Sequence, residues 1–580
     1  MARTKQTAGR TTPAVRGPPR LQLPEDGFNH PFQETECDMG PRQGKEHPRT
    51  ILELRMCALS NRLREKPNWW EKMEDESIVE KWREEALQQA GDDANPEWKL
   101  TPGMVNYVLE ELQGYADLRE SETGIEARVG PAERVWKSDE LIPSSLREKL
   151  LAAVAPLESV PDSQKDWHPG SDGLVLNLVH PSLYPIVYER TMSKNPGSVS
   201  LIAVEAPEFC DPMFTSERFQ WLPSDFLIDG DGKATLASPY INNVHPTQHK
   251  ELCSVIPEIL QRALPMFERV LSDTIRPLLP MRIATSGGRG SGNEETADCI
   301  WEDGVPYPGS SSEEECEEDQ EAWLDKHSFK TPNAREHYDG DLGVMGDRIS
   351  LNDRMIQVIV KLANIVLTPE KPEYPGGKWH VEGMMNENIV SSFIYYYDSE
   401  NISESRLAFR RATSEPHAHE QDDSKCMRVL YDMERDLPLV QDVGDVVTKT
   451  HRCVAFPNLY QHQVQPFRLE DPTKPGHRKI LVFFLVDPTQ TIPSATNVPP
   501  QQREWVTEAM HRANANSALA KLPLEILTMI SKETDGTMSR SEAEEYREEL
   551  MAERTVFVEE NDQDYFGYVR TRICLALTIG

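Results

Sequence analysis

The sequence predicts an α+β protein, on three observations. Apolar runs rich in β-branched and aromatic residues mark strands at 357–362, 394–397, 454–457 and 480–486. Apolar residues at three- and four-residue spacing mark helices from Thr50, Asp75 and Thr101, and again after Gln502. The strands gather in residues 346–500 with helices before and after them, so the two kinds of element are segregated rather than alternating.

Taken in order, residues 1–20 are basic and rich in Pro, Gly and Thr, a composition that predicts disorder, and 21–49 follow as a linker. Residues 50–160 read as a helical subdomain. Ile51, Leu54, Leu59 and Leu63 open it, a helix at 75–89 carries acidic residues in its first turn, and Val105, Val108, Leu109, Leu112 and Tyr115 share one face of a helix at 101–118. Residues 161–285 read as a mixed α/β part of the core, with a strand at 175–179 and a long amphipathic helix at 250–276. Residues 286–345 begin Gly- and Ser-rich and turn acidic (Glu313, Glu314, Glu315, Glu317, Glu318, Asp319), which predicts a disordered insertion suited to a basic partner. Residues 501–580 form a C-terminal helical region, with helices expected at 502–513, 523–531 and 539–554.

Composition excludes several classes. A net charge of −34 over 580 residues argues against nucleic-acid binding by the body of the protein. No apolar run approaches the roughly 20 residues that span a bilayer, and the start of the chain lacks the apolar segment of a secretory signal. Nine cysteines without paired spacing give neither a zinc ribbon nor a disulfide framework. The expected location is nuclear or cytoplasmic, with the nucleus favoured.

The chemistry concentrates between Gly376 and Val486. His380 and Glu382 are two residues apart, so on a strand both side chains would point to one face and grip one ion. His462 follows the strand at 454–457. Two imidazoles and one carboxylate on one face of an octahedral ion leave three positions open, the donor set of oxygen-activating Fe(II) sites. Arg478 stands at the mouth of an apolar strand expected to be buried between two sheets. Its guanidinium can hold a carboxylate of 2-oxoglutarate through two parallel hydrogen bonds. Tyr395 and Tyr397 share a face and are candidates to hydrogen-bond that acid.

The run Phe456-Pro457-Asn458, then Gln461-His462, Gly476-His477-Arg478 and an apolar strand resembles the prolyl-hydroxylase-type branch of the Fe(II)- and 2-oxoglutarate-dependent dioxygenases. The stretches KPNWWEKMEDESIVEKWREEAL, SPYINNVHPTQHKEL and PGHRKILVFFLVDPTQTIPSATNVPPQQREW resemble a large fungal domain family of unknown function. That likeness extends from about Ile51 to Arg554; Ser391 and Ser392 replace its usual Ala-Thr. The resemblance implies a double-stranded β-helix (jelly-roll) core between helical subdomains. It also implies coupled decarboxylation of 2-oxoglutarate and hydroxylation or demethylation of a primary substrate. The competing reading is a catalytically inactive jelly-roll scaffold.

Ala2, Arg3, Thr4, Lys5, Gln6, Thr7 and Ala8 resemble the tail of the core histone that begins Ala-Arg-Thr-Lys-Gln-Thr-Ala. The resemblance implies a histone mimic that engages tail readers or lysine methyltransferases through Lys5, once Met1 is removed.

Overall fold

A strand that is apolar on both faces needs cover on both sides, and that requirement organises the molecule. The computed structural model describes residues 21–25, 27–31, 48–91, 98–127, 134–195, 197–198, 200–208, 214–276, 282–283, 300–301, 329–330, 333–346, 348–413, 424–433, 438–512 and 518–564. The histone-like residues 2–8 and the acidic run 313–319 lie outside the described residues.

The amino-terminal half supplies helices: α1 (Ile51–Arg64), α2 (Glu76–Gly91), α3 (Pro102–Leu118), α4 (Ser144–Glu158) and α5 (Lys250–Ile275). Their starts follow from local chemistry. The Thr50 hydroxyl accepts from the Glu53 amide at 3.2 Å, and Thr101 caps α3 in the same way, ahead of Pro102 at the first helical position. Short strands β1 (Trp136–Ser138), β2 (Val175–Val179) and β3 (Ser224–Ile228) interrupt them.

The main strands that follow are β4 (Arg354–Leu367), β5 (Ile389–Glu400), β6 (Ser405–Ala412), β7 (Val440–Thr448), β8 (Cys453–Pro457), β9 (Gln461–Val464) and β10 (Gly476–Val486), with shorter ones between and before them. An antiparallel ten-stranded sheet has the central order β8–β5–β10–β4. It is extended by β1 beyond β8 and by β2 and β3, which both pair with β4. A separate antiparallel sheet has the order β7–β6–β9. The chain is thus an α+β protein with antiparallel sheets.

Strand alternation sorts the core into two halves. Ile359, Ile394, Tyr396, Val482 and Phe484 of the large sheet pack with Leu407, Phe409 and Val446 of the small one. On the opposite face Phe393, Tyr395, Tyr397, Leu481 and Phe483 pack with the helices, Phe393 lying 6.0 Å from Phe267 of α5 between ring centres. The expectation that β10 is covered by sheets on both sides is therefore corrected: helices cover one face, because α5 offers a continuous apolar stripe from Leu252 to Leu271.

Helices α6 (Arg503–His511), α7 (Leu524–Lys532) and α8 (Arg540–Asp564) close the described chain. Helix α8 runs ten residues past its expected end and packs beside the loop that follows His380. There Arg554 donates to the fully buried Glu387 carboxylate at 2.6 Å, and Phe557 packs among Val381 and Met384. Residues 333–345, assigned by composition to the disordered insertion, instead pack on α3: Arg335 donates to the Tyr107 hydroxyl at 2.8 Å and Leu342 is buried.

Candidate metal centre

His462 lies on β9, opposite Phe409 of β6. His380 joins it through two backbone hydrogen bonds: the His462 amide donates to the His380 carbonyl at 2.9 Å, and the reverse bond is 3.3 Å. This isolated antiparallel bridge sets the imidazoles side by side, with ring centres 4.4 Å apart.

Glu382 is not on a regular strand, which corrects the simple i, i+2 argument. It sits in a bend held by Asn458, whose side-chain oxygen accepts from the Glu382 amide and whose side-chain nitrogen donates to the Glu382 carbonyl, both at 2.8 Å. The same Asn458 nitrogen donates to Ile389 at 3.0 Å, tying the bend to the start of β5. Gly383 completes the turn at φ +71°, where a side chain would also press on Ile389 and Glu387.

The result is one donor atom each from His380, Glu382 and His462, all within 4.8 Å of one another. The Nε2 atoms of His380 and His462 lie 3.6 and 3.3 Å from the same Glu382 oxygen. Burial opposes ionisation of Glu382, but the two imidazoles beside it outweigh that and hold the carboxyl well below its usual range. Burial lowers His462 to about 4, helped by the neighbouring His380. His380 moves the other way: the Glu382 carboxylate overcomes the burial that would lower it.

Two imidazoles and a carboxylate fit a divalent transition metal, Fe(II) included. His380 also has the outer support that metal-binding histidines ordinarily show, its Nδ1 lying 2.9 Å from the Lys378 carbonyl. His462 departs from that pattern, since its buried Nδ1 has no hydrogen-bond partner; its ring packs 4.9 Å from Phe456 instead.

Arg478 opens β10 on the face that looks toward the small sheet and is 2 % exposed. It donates to Ser405 at 2.6 Å and to Thr448 at 3.4 Å, and its Nε has no partner. The rings of Tyr396 and Phe467 flank the guanidinium at 5.4 and 5.2 Å. No carboxylate pairs with it among the described residues, and burial pushes its pKa below the ordinary value. A buried cation without an anion is costly, so the pocket suits an anionic ligand.

Tyr395 and Tyr397 do not join this site. Both face the helices, and Tyr397 donates to Asn364 at 3.3 Å. The tyrosine beside Arg478 is Tyr396, one position away. Sequence reasoning also passed over Asn458, Ser405 and Thr448. Asn458 stands in the quoted Phe-Pro-Asn run and was visible; the other two lie on β6 and β7 and carry no local signal.

A family described as "Protein of unknown function (DUF4246)" matches residues 102–509. The chain belongs to the DUF4246 family. Its companion, "Domain of unknown function DUF4246, N-terminal", matches residues 13–85. No curated protein matches this DUF4246 chain. Among solved structures, it is similar to the Fe(II)/(alpha)ketoglutarate-dependent dioxygenase TqaL, with 11% identity, 48% of this chain and 71% of that chain covered, and a TM-score of 0.22. It is also similar to IDO from Bacillus thuringiensis (11% identity, 23% and 47% covered, TM-score 0.15) and to a bsmA homolog from Methylobium petroleophilum PM1 (14%, 24% and 44%, TM-score 0.15). These partial overlaps carry no conclusion about activity.

Proposed function

We propose that the chain is an Fe(II)- and 2-oxoglutarate-dependent oxygenase, built on a double-stranded β-helix. The observation that carries the reading is the convergence of His380, Glu382 and His462 within 4.8 Å. The strand order supports it further: β8–β5–β10–β4 in one sheet faces β7–β6–β9 in the other, with His380 joined by an isolated bridge to His462 at the edge of the second.

The roles divide by chemistry. His380, Glu382 and His462 hold the metal through three donors and leave the other positions open. Arg478, oriented by Ser405 and Thr448, binds the far carboxylate of 2-oxoglutarate in a desolvated pocket, where a charge-assisted bond is strong. Asn458 fixes the Glu382 backbone so that its carboxylate stays aimed at both imidazoles. Bound Fe(II) would supply the redox chemistry, coupling 2-oxoglutarate decarboxylation to oxidation of a primary substrate by dioxygen.

The test is conversion of 2-oxoglutarate to succinate and CO2 by purified protein supplied with Fe(II), dioxygen and a mild reductant in place of the primary substrate. Turnover is expected in the wild type and absent in His462→Ala; retained turnover in that variant would remove the assignment. For residues 2–8 we propose a histone mimic on sequence alone. A peptide of residues 2–12 that retains no histone-tail reader or lysine methyltransferase in a pulldown would end that reading.

A further inference from the structure

A second group of uncommitted polar side chains lies on the metal-facing side of the large sheet, where β4 meets β2. Asn177 is paired with Ala363 and Val179 with Leu362, the register shifting between them. Residues two apart on a strand share a face, so Lys361, Ala363 and Asn177 look the same way. Val179 and its partner Leu362 pack with the helices, so by alternation His180 and Lys361, the next residues on each side of that pair, belong to the opposite face. His168 donates its amide to the Val175 carbonyl at 2.8 Å, and its ring lies 5.1 Å from that of His180, tilted by 51°.

These groups are polar, enclosed and unspent. Asn177 is 4 % exposed, and neither of its amide atoms makes a hydrogen bond of ordinary geometry, although it lies beside His168 and favours that ring's charged form. A buried amide left unpaired costs free energy unless a ligand satisfies it. His180 accepts from the Ser182 amide on Nδ1 at 3.2 Å, which leaves Nε2 as the proton-bearing nitrogen of the neutral ring. Burial keeps both rings neutral, lowering His168 to about 4 and His180 well below its usual value, with the Lys361 charge the next cause for each.

Lys361 itself has no hydrogen bond or ion pair among the described residues. It follows Ile359 on the same face of β4, and Ile359 packs in one cluster with Phe409 and Phe456, the residues beside His462. From that face its charge acts on His168 and His180. The acid on this face is already committed: Asp166 accepts from Arg547 of α8 at 2.6 Å and lies 3.4 Å from Arg540. Arg478 has a different set of neighbours, namely Ser405, Thr448, Tyr396 and Phe467. An open groove of roughly 930 Å³ nearby is lined by His168, Lys378 and Phe467, the last of which flanks Arg478.

We propose that Lys361, Asn177 and His180 form a second oxyanion subsite, which holds a carboxylate or phosphate group of the primary substrate beside the metal triad. The ammonium, the amide nitrogen and the Nε2–H are three donors, the complement of one oxyanion, while the Glu382 carboxylate on the same side is shared by the two triad imidazoles. The role of substrate anchor rests on the oxygenase reading; the anion site does not. The oxidised carbon would then lie near an acidic group, which makes the primary substrate an acid rather than an amine or a neutral lipid.

The probe is inorganic phosphate, titrated calorimetrically at constant ionic strength into full-length protein saturated anaerobically with Fe(II) and 2-oxoglutarate. The wild type is expected to take one further equivalent. Lys361→Met should weaken that binding at least about tenfold with 2-oxoglutarate affinity held within about twofold, and Lys361→Arg should retain most of it. Lys361→Gln, which keeps a donor without the charge, should fall between them and guards against a folding defect in the Met variant. No further equivalent in the wild type, or equal phosphate affinity in all variants, overturns the subsite. Loss of 2-oxoglutarate affinity in Lys361→Met overturns it too, making Lys361 a co-substrate anchor. Failure of the oxygenase reading looks different: no metal chelate forms in the wild type, while Lys361-dependent phosphate binding persists.

Discussion

Tyr395 and Tyr396 are adjacent in β5 and serve opposite faces of the same sheet. Tyr395 points to the helices with Phe393 and Tyr397, in a layer where apolar packing fills the space between β5, β10 and α5. Tyr396 points toward the small sheet and flanks Arg478. The helix-covered face is occupied by side chains packed on one another, with the unpartnered Tyr395 hydroxyl among them. The other combines comparable packing with polar groups that lack partners: the Arg478 Nε, the Lys361 ammonium and the Asn177 amide. One face of the sheet holds the fold together, and the other keeps hydrogen-bonding capacity for a ligand.

Arg478→Met should give the largest departure between the faces. It removes the guanidinium from the pocket while keeping its volume, and should raise the apparent KM for 2-oxoglutarate by about 30-fold or more with metal affinity unchanged. Steady-state assays at varied co-substrate, beside a metal titration, read both. An unchanged KM would move the anchor to another cation.

A smaller effect is expected where a charge serves the fold rather than the site. The Asp139 carboxylate accepts from Arg452 at 2.6 and 2.8 Å and pairs with Lys449, which overcomes the opposing effect of burial and holds its pKa far below the ordinary value. A depressed carboxyl stabilises the fold above its unfolded pKa of about 4, and that contribution is lost as pH falls through the folded value. Asp139→Asn should therefore cost about 1 kcal/mol near pH 7, modest because water screens part of the pair. The difference from wild type should shrink on acidification in denaturant melts, and a gap that widens toward acid would contradict the sign.

Tyr395→Phe sharpens the comparison most finely. The Tyr395 hydroxyl is buried without a hydrogen-bond partner, so its removal should change stability by less than about 1 kcal/mol in either direction. Its affinity for 2-oxoglutarate should match that of the wild type. A loss of affinity would place this tyrosine in the site after all.

The metal donors were legible because their residue types and spacing are unusual together: His380 and Glu382 two apart, His462 after a strand, Arg478 before another. The faces of the tyrosines were harder, because the ladder between β5 and β10 shifts register between Ile389 and Ser391 and again between Tyr396 and Asp398. Each shift resets the alternation that sequence alone would extrapolate. Glu382 read as a strand residue because the clamp from Asn458 comes from 76 positions away. Lys361 and Asn177 each look ordinary in sequence, and only the pairing of β4 with β2 puts them on one face. Helix α4 went unread because Pro143 precedes it without a side-chain cap and Pro156 lies within it. Its buried residues Leu146, Leu150, Ala153 and Val154 mark the packed stripe only in the fold.

The most direct test of the central claim is an anaerobic titration of the purified protein with Fe(II) and 2-oxoglutarate, followed by visible absorption. A weak charge-transfer band from the iron chelate is expected in the wild type and absent in Glu382→Ala, whose two imidazoles lose the carboxylate they share. No band in folded wild-type protein, or an equal band in Glu382→Ala, would contradict a metal site built from His380, Glu382 and His462.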